Sequence, residues 1–217
     1  MKSDNLYPGL FKEYDNFIFD FDGVVLNSNA VKEVNIEIAL KRFLPKDTFN
    51  KSLNYFNENP GVSRELKLSK FINSKQLQFQ ILKLYNKLNL ETLISADLVE
   101  GVVEFLSYVR SLKKNIFILS GGKEDEVMYV LDFKNMLHNF DAVKGGPMSK
   151  IENLSVMELV GNSIFFGDSK YDMEVARLFN FDFVFVYGYS KYDLRNEFKS
   201  EIFMSIRNFN EFKKLLK

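Results

Sequence analysis

Phe17-Ile18-Phe19-Asp20-Phe21-Asp22-Gly23 passes directly from an apolar run to two aspartates and a glycine. Aromatic and β-branched residues without polar alternation fit a strand buried on both faces, as in a parallel sheet. A strand that stops on acidic residues and glycine carries those groups at its carboxyl end, where open α/β sheets bind ligands. The same signature recurs along the chain. Asn115–Leu119 runs into Ser120-Gly121-Gly122, and Ser163–Phe166 runs into Gly167-Asp168-Ser169, with Asp172 one helical turn beyond. Phe183–Tyr187 reads as a further strand, and Phe140-Asp141-Ala142-Val143 as a shorter one. Helical spacing lies between them, at Val99, Val102, Val103, Leu106 and Val109, and again at Phe209, Phe212 and Leu216. Strands alternating with helices in this way predict an α/β fold with a doubly wound, mostly parallel sheet.

One long stretch interrupts the alternation. From about Asn29 to Asp97 only helical periodicity is found, most clearly in the stripe Leu77, Ile81, Leu84, Tyr85 and Leu88, with Lys83, Asn86 and Lys87 off it. Asn57-Glu58-Asn59-Pro60-Gly61 reads as a loop and Ser63 as the N-cap of a helix from Arg64 onward. The expected organisation is an α/β core of residues 1–28 and 98–217 and a small all-helical cap subdomain of residues 29–97.

Composition narrows the chemistry. The chain has 217 residues, 46% of them hydrophobic and 27% charged, an ordinary globular balance. Lys plus Arg and Asp plus Glu are 29 each, so the zero net charge gives no footing to a nucleic-acid binder. The absence of Cys removes disulfides, thiolate metal sites and a thiol nucleophile, and a single histidine, His138, nearly excludes a serine–histidine hydrolase or a multi-histidine metal site. His138 is expected near a helix end without catalytic duty. The most apolar stretches, around Phe17–Leu26 and Phe181–Tyr189, contain aspartates and fall short of the roughly 20 apolar residues that span a bilayer. Met1–Asn16 lacks the apolar stretch of a signal peptide, so a soluble, cytoplasmic protein is expected. The Asp15 and Asp182 carboxylates are expected to solvate strand edges, and the Lys113-Lys114 and Lys213-Lys214 pairs to lie on solvated helix faces.

Carboxylate, hydroxyl and lysine therefore remain as chemistry-bearing groups. Clustered carboxylates without histidine or thiolate favour a hard cation such as Mg²⁺, which bridges to phosphate oxygens. A hydroxyl flanked by glycine amides, here Ser120 before Gly121 and Gly122, can hold an anionic phosphoryl group. Lys150, behind Lys144-Gly145-Gly146-Pro147, can offset charge on a nucleophile. One aspartate can attack phosphorus, and a carboxylate two residues on can exchange protons with the leaving oxygen and with water. The set matches phosphoryl transfer.

Asp20-Phe21-Asp22-Gly23-Val24-Val25, then Ser120, then Lys150, then Gly167-Asp168-Ser169-Lys170-Tyr171-Asp172 resemble, in order and context, the motifs of the haloacid dehalogenase superfamily, phosphatase type, with a helical cap inserted after the first strand. That resemblance implies a Rossmann-like core and an aspartyl-phosphate mechanism acting on a small phosphorylated metabolite, a sugar phosphate or phosphoglycolate-like acid. Asp20 would be the nucleophile and Asp22 the general acid/base. Mg²⁺ would be held by the Asp20 carboxylate, the Asp22 backbone carbonyl and Asp168, with Asp172 in support. Ser120 and the Gly121 amide would bind phosphoryl oxygens, and Lys150 would neutralise the nucleophile. Members that cleave carbon–halogen bonds lack the second aspartate, so Asp22 points to phosphate chemistry. Asn27 departs from the aspartate many relatives carry, at a position expected to affect cap motion. Gly61-Val62-Ser63-Arg64 resembles the specificity segment of capped relatives, including β-phosphoglucomutase, which keeps a phosphomutase as the alternative and a silent binding module as a lesser one. Arg64 would reach a substrate anion with its planar fork, with Lys67 one turn later as a second cap group. No nucleic-acid or membrane partner is expected, and a monomer or weak dimer is.

Overall fold

A computed structural model describes residues 9–213. Six parallel strands form one sheet in the order β3-β2-β1-β4-β5-β6. They are β1 (Asn16–Phe19), β2 (Asn115–Lys123), β3 (Ala142–Gly146), β4 (Ser163–Gly167), β5 (Asp182–Val186) and β6 (Met204–Ile206). β1 lies between β2 and β4, with Phe19 opposite Ile118 on one side and Phe166 on the other. The order reverses at β1, so the crevice of a doubly wound sheet opens beyond its carboxyl end.

The apolar runs serve both faces. Phe17 and Phe19 join one buried cluster with Phe11, Phe105, Phe166, Phe209 and Phe212, while Ile18 joins the opposite one with Phe165, Met173, Phe183 and Phe185. In the first cluster Phe19 and Phe166 stack at 4.7 Å. Full burial of such side chains is worth about 1.5–3 kcal/mol each, which ties β1 firmly to its neighbours.

Four helices follow β1: α1 (Asn29–Phe43), α2 (Lys46–Glu58), α3 (Arg64–Ser69) and α4 (Lys75–Thr92). They bury a cluster of their own, with Ile36, Ala39, Leu40, Phe56, Leu68, Ile72, Ile81 and Tyr85. Ser63 caps α3 by accepting from the Leu66 N–H. The chain leaves and re-enters the α/β layer at adjacent points, where Asn27 N–H donates to the Asp97 carbonyl at 2.9 Å and Leu26 bridges Leu98. The remaining helices, α5 (Val102–Ser111), α6 (Glu124–Phe133), α7 (Lys150–Val156) and α8 (Lys170–Leu178), cover the sheet.

Several expectations are corrected. The strand expected at Phe140–Val143 begins at Ala142 and continues to Gly146, because Lys144 and Gly146 pair with Leu119 and Lys123 of β2 rather than forming a loop. β2 continues through Ser120, Gly121 and Gly122 to Lys123. β6 is too short to show a sequence pattern. Val103 is 41% exposed, so the inward face of α5 is Val102, Phe105, Leu106 and Val109. Phe209 and Phe212 lie in a 3-10 turn, Phe209–Phe212, whereas Leu216 lies outside the described residues, as do Lys214 and Met1–Pro8. Lys113 sits in a left-handed turn after α5, and Lys114 pairs with Asp15 at 3.3 Å, so that pair is not a helix face. Asp182 is exposed at the start of β5, as a strand-edge carboxylate should be, and also accepts the Tyr14 hydroxyl at 2.6 Å. Among the described residues no helix is long and apolar enough to cross a membrane.

Candidate active site

β1 ends at Phe19, which places Asp20 at the mouth of the crevice, 3% exposed. The neighbouring β4 ends at Gly167 and delivers Asp168 beside it. Ser169 then caps α8 in a reciprocal capping box with Asp172. Asp20, Asp168 and Asp172 each offer a carboxylate oxygen within 4.8 Å of the other two. Gly23 adopts φ +75°, and a side chain there would collide with the Asp168 carboxylate and the Asn29 amide, so only glycine lets the loop fold this tightly.

Lys150, the first residue of α7, is fully buried between two of these carboxylates. Its Nζ lies 2.9 Å from Asp20 and 2.5 Å from Asp172. Burial works against its charge, but Asp172 and Asp20 overcome that and hold the ammonium firmly protonated. Burial pushes the Asp20 carboxyl well above the usual range; Lys150 opposes this, and Asp172 and Asp22 reinforce it. Asp168 is likewise pushed up, by burial and then by Asp20 and Asp172. Three carboxylates against one lysine leave a buried surplus of negative charge. An all-oxygen donor set with that surplus fits a hard divalent cation.

Asp22 lines the same cleft but is not one of this trio. Its carboxylate accepts from the Ser28 hydroxyl and pairs with Lys32 Nζ of α1 at 2.7 Å. Ser120 is fully buried on β2, and its hydroxyl accepts from the Gly122 N–H at 3.0 Å. The surface that β2 turns to the cleft is formed by Gly121 and Gly122. A side chain at Gly121 would strike the Gly61 carbonyl, so the loop between α2 and α3 packs directly on this turn.

The cleft is lined from both layers, by Asp20, Asp22, Asp168, Gly121 and Gly122 on the sheet side and by Asn29, Lys32, Arg64, Lys67, Phe56 and Tyr85 on the helical side. Arg64 is buried and already paired. Its guanidinium donates twice to Glu126 of α6, at 2.8 and 2.9 Å, and packs 4.8 Å above the Tyr85 ring. Glu126 also accepts from Asn89 at 3.2 Å and lies 3.3 Å from Lys32. Burial alone would raise the Glu126 carboxyl, but Lys32 and Arg64 overcome it and hold it at about 2. Arg64 therefore ties the helical layer to the core, contrary to the expectation of a free fork. Lys67 is buried without such a partner among the described residues.

Sequence reasoning missed Asn29, Lys32, Ser190 and Glu126. Asn29 donates to Asp168 at 2.6 Å, and Ser190 donates to the Asp168 carbonyl. Asn29 and Lys32 follow the Asp20–Gly23 motif closely in sequence, yet nothing there says that α1 turns back over it. Glu126 sits in the acidic first turn of α6 with Glu124 and Asp125, which reads as ordinary charge complementing a helix dipole. His138 is exposed on a 3-10 turn, Leu137–Asn139.

Among solved structures the chain is similar to a hydrolase from Pseudomonas syringae at a TM-score of 0.76 and 16% identity, covering 93% of this chain and 97% of that one. It is similar to a haloacid dehalogenase-like family hydrolase from Streptococcus pneumoniae at 0.70 and 16%, covering 94% and 99%. CbbY from Rhodobacter sphaeroides, in complex with phosphate, is similar at 0.69 and 12%, covering 92% and 96%. At these identities the likeness establishes the fold. No curated protein matches the chain in sequence. Residues 17–186 match the family profile described as haloacid dehalogenase-like hydrolase, a span holding Asp20, Ser120, Lys150 and Asp168 alike. The chain belongs to the haloacid dehalogenase-like hydrolase family.

Proposed function

We propose that this chain is a Mg²⁺-dependent phosphatase of the cytoplasm that hydrolyses a small phosphorylated metabolite through an aspartyl-phosphate, with residues 29–97 acting as a cap domain. The observation that carries the reading is the buried group Asp20, Asp168, Asp172 and Lys150 at the carboxyl ends of β1 and β4. Asp20, Asp168 and the Asp22 backbone carbonyl would hold Mg²⁺, with Asp172 in support. The ion would supply charge compensation to a phosphoryl group bound against these carboxylates.

Asp20 attacks phosphorus, and the bond to the ester oxygen breaks. Asp22 gives its proton to the departing alcohol oxygen, then takes one from the water that cleaves the aspartyl-phosphate, restoring both groups. Lys150 keeps the Asp20 carboxylate oriented and offsets its charge. The Gly121 amide, with Ser120 behind it, binds phosphoryl oxygens where charge accumulates. Both Asp22 oxygens accept here, from Ser28 and Lys32, so Asp22 enters this sequence only after leaving Lys32 and taking up a proton, and the helical layer thereby takes part in placing the acid/base group. The phosphomutase alternative drew on Arg64, and Arg64 is engaged by Glu126, which favours the phosphatase.

The test is phosphate release from a panel of phosphorylated metabolites with Mg²⁺ and with chelator, beside Asp20→Asn. Chelator-sensitive release that the variant lacks, with its circular dichroism unchanged, is expected. Turnover by Asp20→Asn at the wild-type rate overturns the mechanism. Isomeric phosphate from a hexose 1-phosphate, without net release, selects the mutase.

A further inference from the structure

Asp22 reaches the chemistry only by giving up Lys32, and the released cation needs another partner. Lys32 Nζ lies 2.7 Å from Asp22 Oδ2, and the Lys32 side chain is only 12% exposed. Burial works against its charge, but Asp22 and Glu126 overcome that and hold the ammonium protonated. Once Asp22 carries a proton or turns toward a leaving group, Lys32 is a nearly buried cation that has lost its nearer counter-ion. Such a state is costly unless a second carboxylate takes the charge over.

Glu126 has the geometry to do so. An ionised carboxylate offers about four acceptor positions. Glu126 Oε2 accepts from Arg64 Nη1 at 2.9 Å and from Asn89 Nδ2 at 3.2 Å. Oε1 accepts from Arg64 Nη2 at 2.8 Å, which leaves one position on that oxygen. Lys32 Nζ stands in front of it at 3.3 Å, longer than the roughly 2.7–2.9 Å of a charge-assisted bond. A short swing of the ammonium away from Asp22 completes the Glu126 carboxylate without disturbing Arg64 or Asn89. Both oxygens of Asp22 are occupied in the same network, by Ser28 and Lys32, so the swing is also what frees Oδ2.

We infer that Glu126 is a positioning residue for the proton-transfer step: it takes over Lys32 when Asp22 is released, and so leaves Asp22 free to serve the leaving oxygen. The inference rests on the phosphatase reading for the role of Asp22, whereas the exchange of Lys32 between two carboxylates does not. Glu126 then has two duties on separate acceptor positions, a fixed bond to Arg64 that ties the layers and an exchangeable one to Lys32.

The first experiment compares ethyl phosphate, whose alcohol must be protonated as it leaves, with 4-nitrophenyl phosphate, whose phenolate leaves without a proton. In Glu126→Gln, kcat/KM for ethyl phosphate should fall about tenfold further than kcat/KM for 4-nitrophenyl phosphate, a fraction of what a general acid contributes. Circular dichroism at the assay temperature checks that the variant is folded. Lys32→Met removes the cation that has to be rehoused, so adding Glu126→Gln to it should leave the ratio of the two esters where Lys32→Met alone puts it. Equal losses on both esters in Glu126→Gln are what a purely structural role would give, and they overturn the inference. So does an undiminished fall in the ratio when Lys32 is already absent.

A crystal structure of Asp22→Asn reads the exchange without turnover and with Glu126 intact. The neutral side chain imitates protonated Asp22, and Lys32 Nζ should close to ~2.9 Å from Glu126 Oε1. That movement supports the exchange even if neither ester is hydrolysed, in which case only the phosphatase reading fails. Lys32 left no nearer to Glu126 than 3.3 Å overturns the exchange whatever the enzyme hydrolyses.

Discussion

Two buried charge clusters face each other across the cleft, and they are unbalanced in opposite senses. At the carboxyl ends of β1 and β4, Asp20, Asp168 and Asp172 outnumber Lys150. On the helical side, Lys32, Arg64 and Lys67 outnumber the carboxylates that meet them, Asp22 and Glu126. A protein interior tolerates neither surplus cheaply. The acidic cluster has the donor set of a divalent-cation site, while the basic cluster presents positive charge to the same cleft.

Breaking the acidic side should have the largest effect. In Asp168→Asn one buried charge is gone, so the metal-free protein should melt at a higher temperature than wild type. The rise in Tm on adding Mg²⁺ should shrink and turnover should fall by roughly 10²–10³-fold. Calorimetry with and without Mg²⁺ checks both signs, and an unchanged Mg²⁺ response would remove Asp168 from the metal site.

Removing the shared carboxylate of the basic side comes next. Glu126→Gln leaves Arg64 and Lys32 under-neutralised, and a loss of about 3 kcal/mol in unfolding free energy is expected. The same group predicts a pH dependence. Its pKa is depressed to about 2, so its contribution is complete above its unfolded value and fades as pH falls from about 4.5 toward 2. Denaturant titrations over that range should show a steeper acid loss in wild type than in Glu126→Gln. Parallel curves would mean that Glu126 is not held by charge.

The smallest effect should come from a residue that only orients a ligand. Asn29 donates to Asp168 at 2.6 Å, and Asn29→Ala should weaken Mg²⁺ half-saturation by about tenfold while leaving kcat at saturating Mg²⁺ close to wild type. Loss of kcat that Mg²⁺ cannot restore would place Asn29 nearer the chemistry.

The contrast between the clusters is also a contrast in legibility. Asp20, Asp22, Ser120 and Asp168 could be picked out because strand ends announce themselves, with Asp172 one helical turn beyond and Lys150 behind a glycine-proline stretch. An apolar run buried on both faces, followed by acid or glycine, is a local pattern, and parallel topology brings such ends to one edge. The N-cap at Ser63 and the close entry and exit of the helical segment were readable for similar local reasons. The partners of Arg64 were not. Glu126 lies 62 residues away on a helix whose first turn is acidic throughout, and no spacing rule singles out the third of three acids.

The sequence by itself determined the parallel α/β core, the helical insertion and the inventory of groups at the strand ends, because each is encoded by residues near one another in the chain. Only the tertiary structure decided which cations are spent and which is left over. Pairing depends on where α1, α3 and α6 set their side chains in space, and burial then makes each pairing costly to exchange.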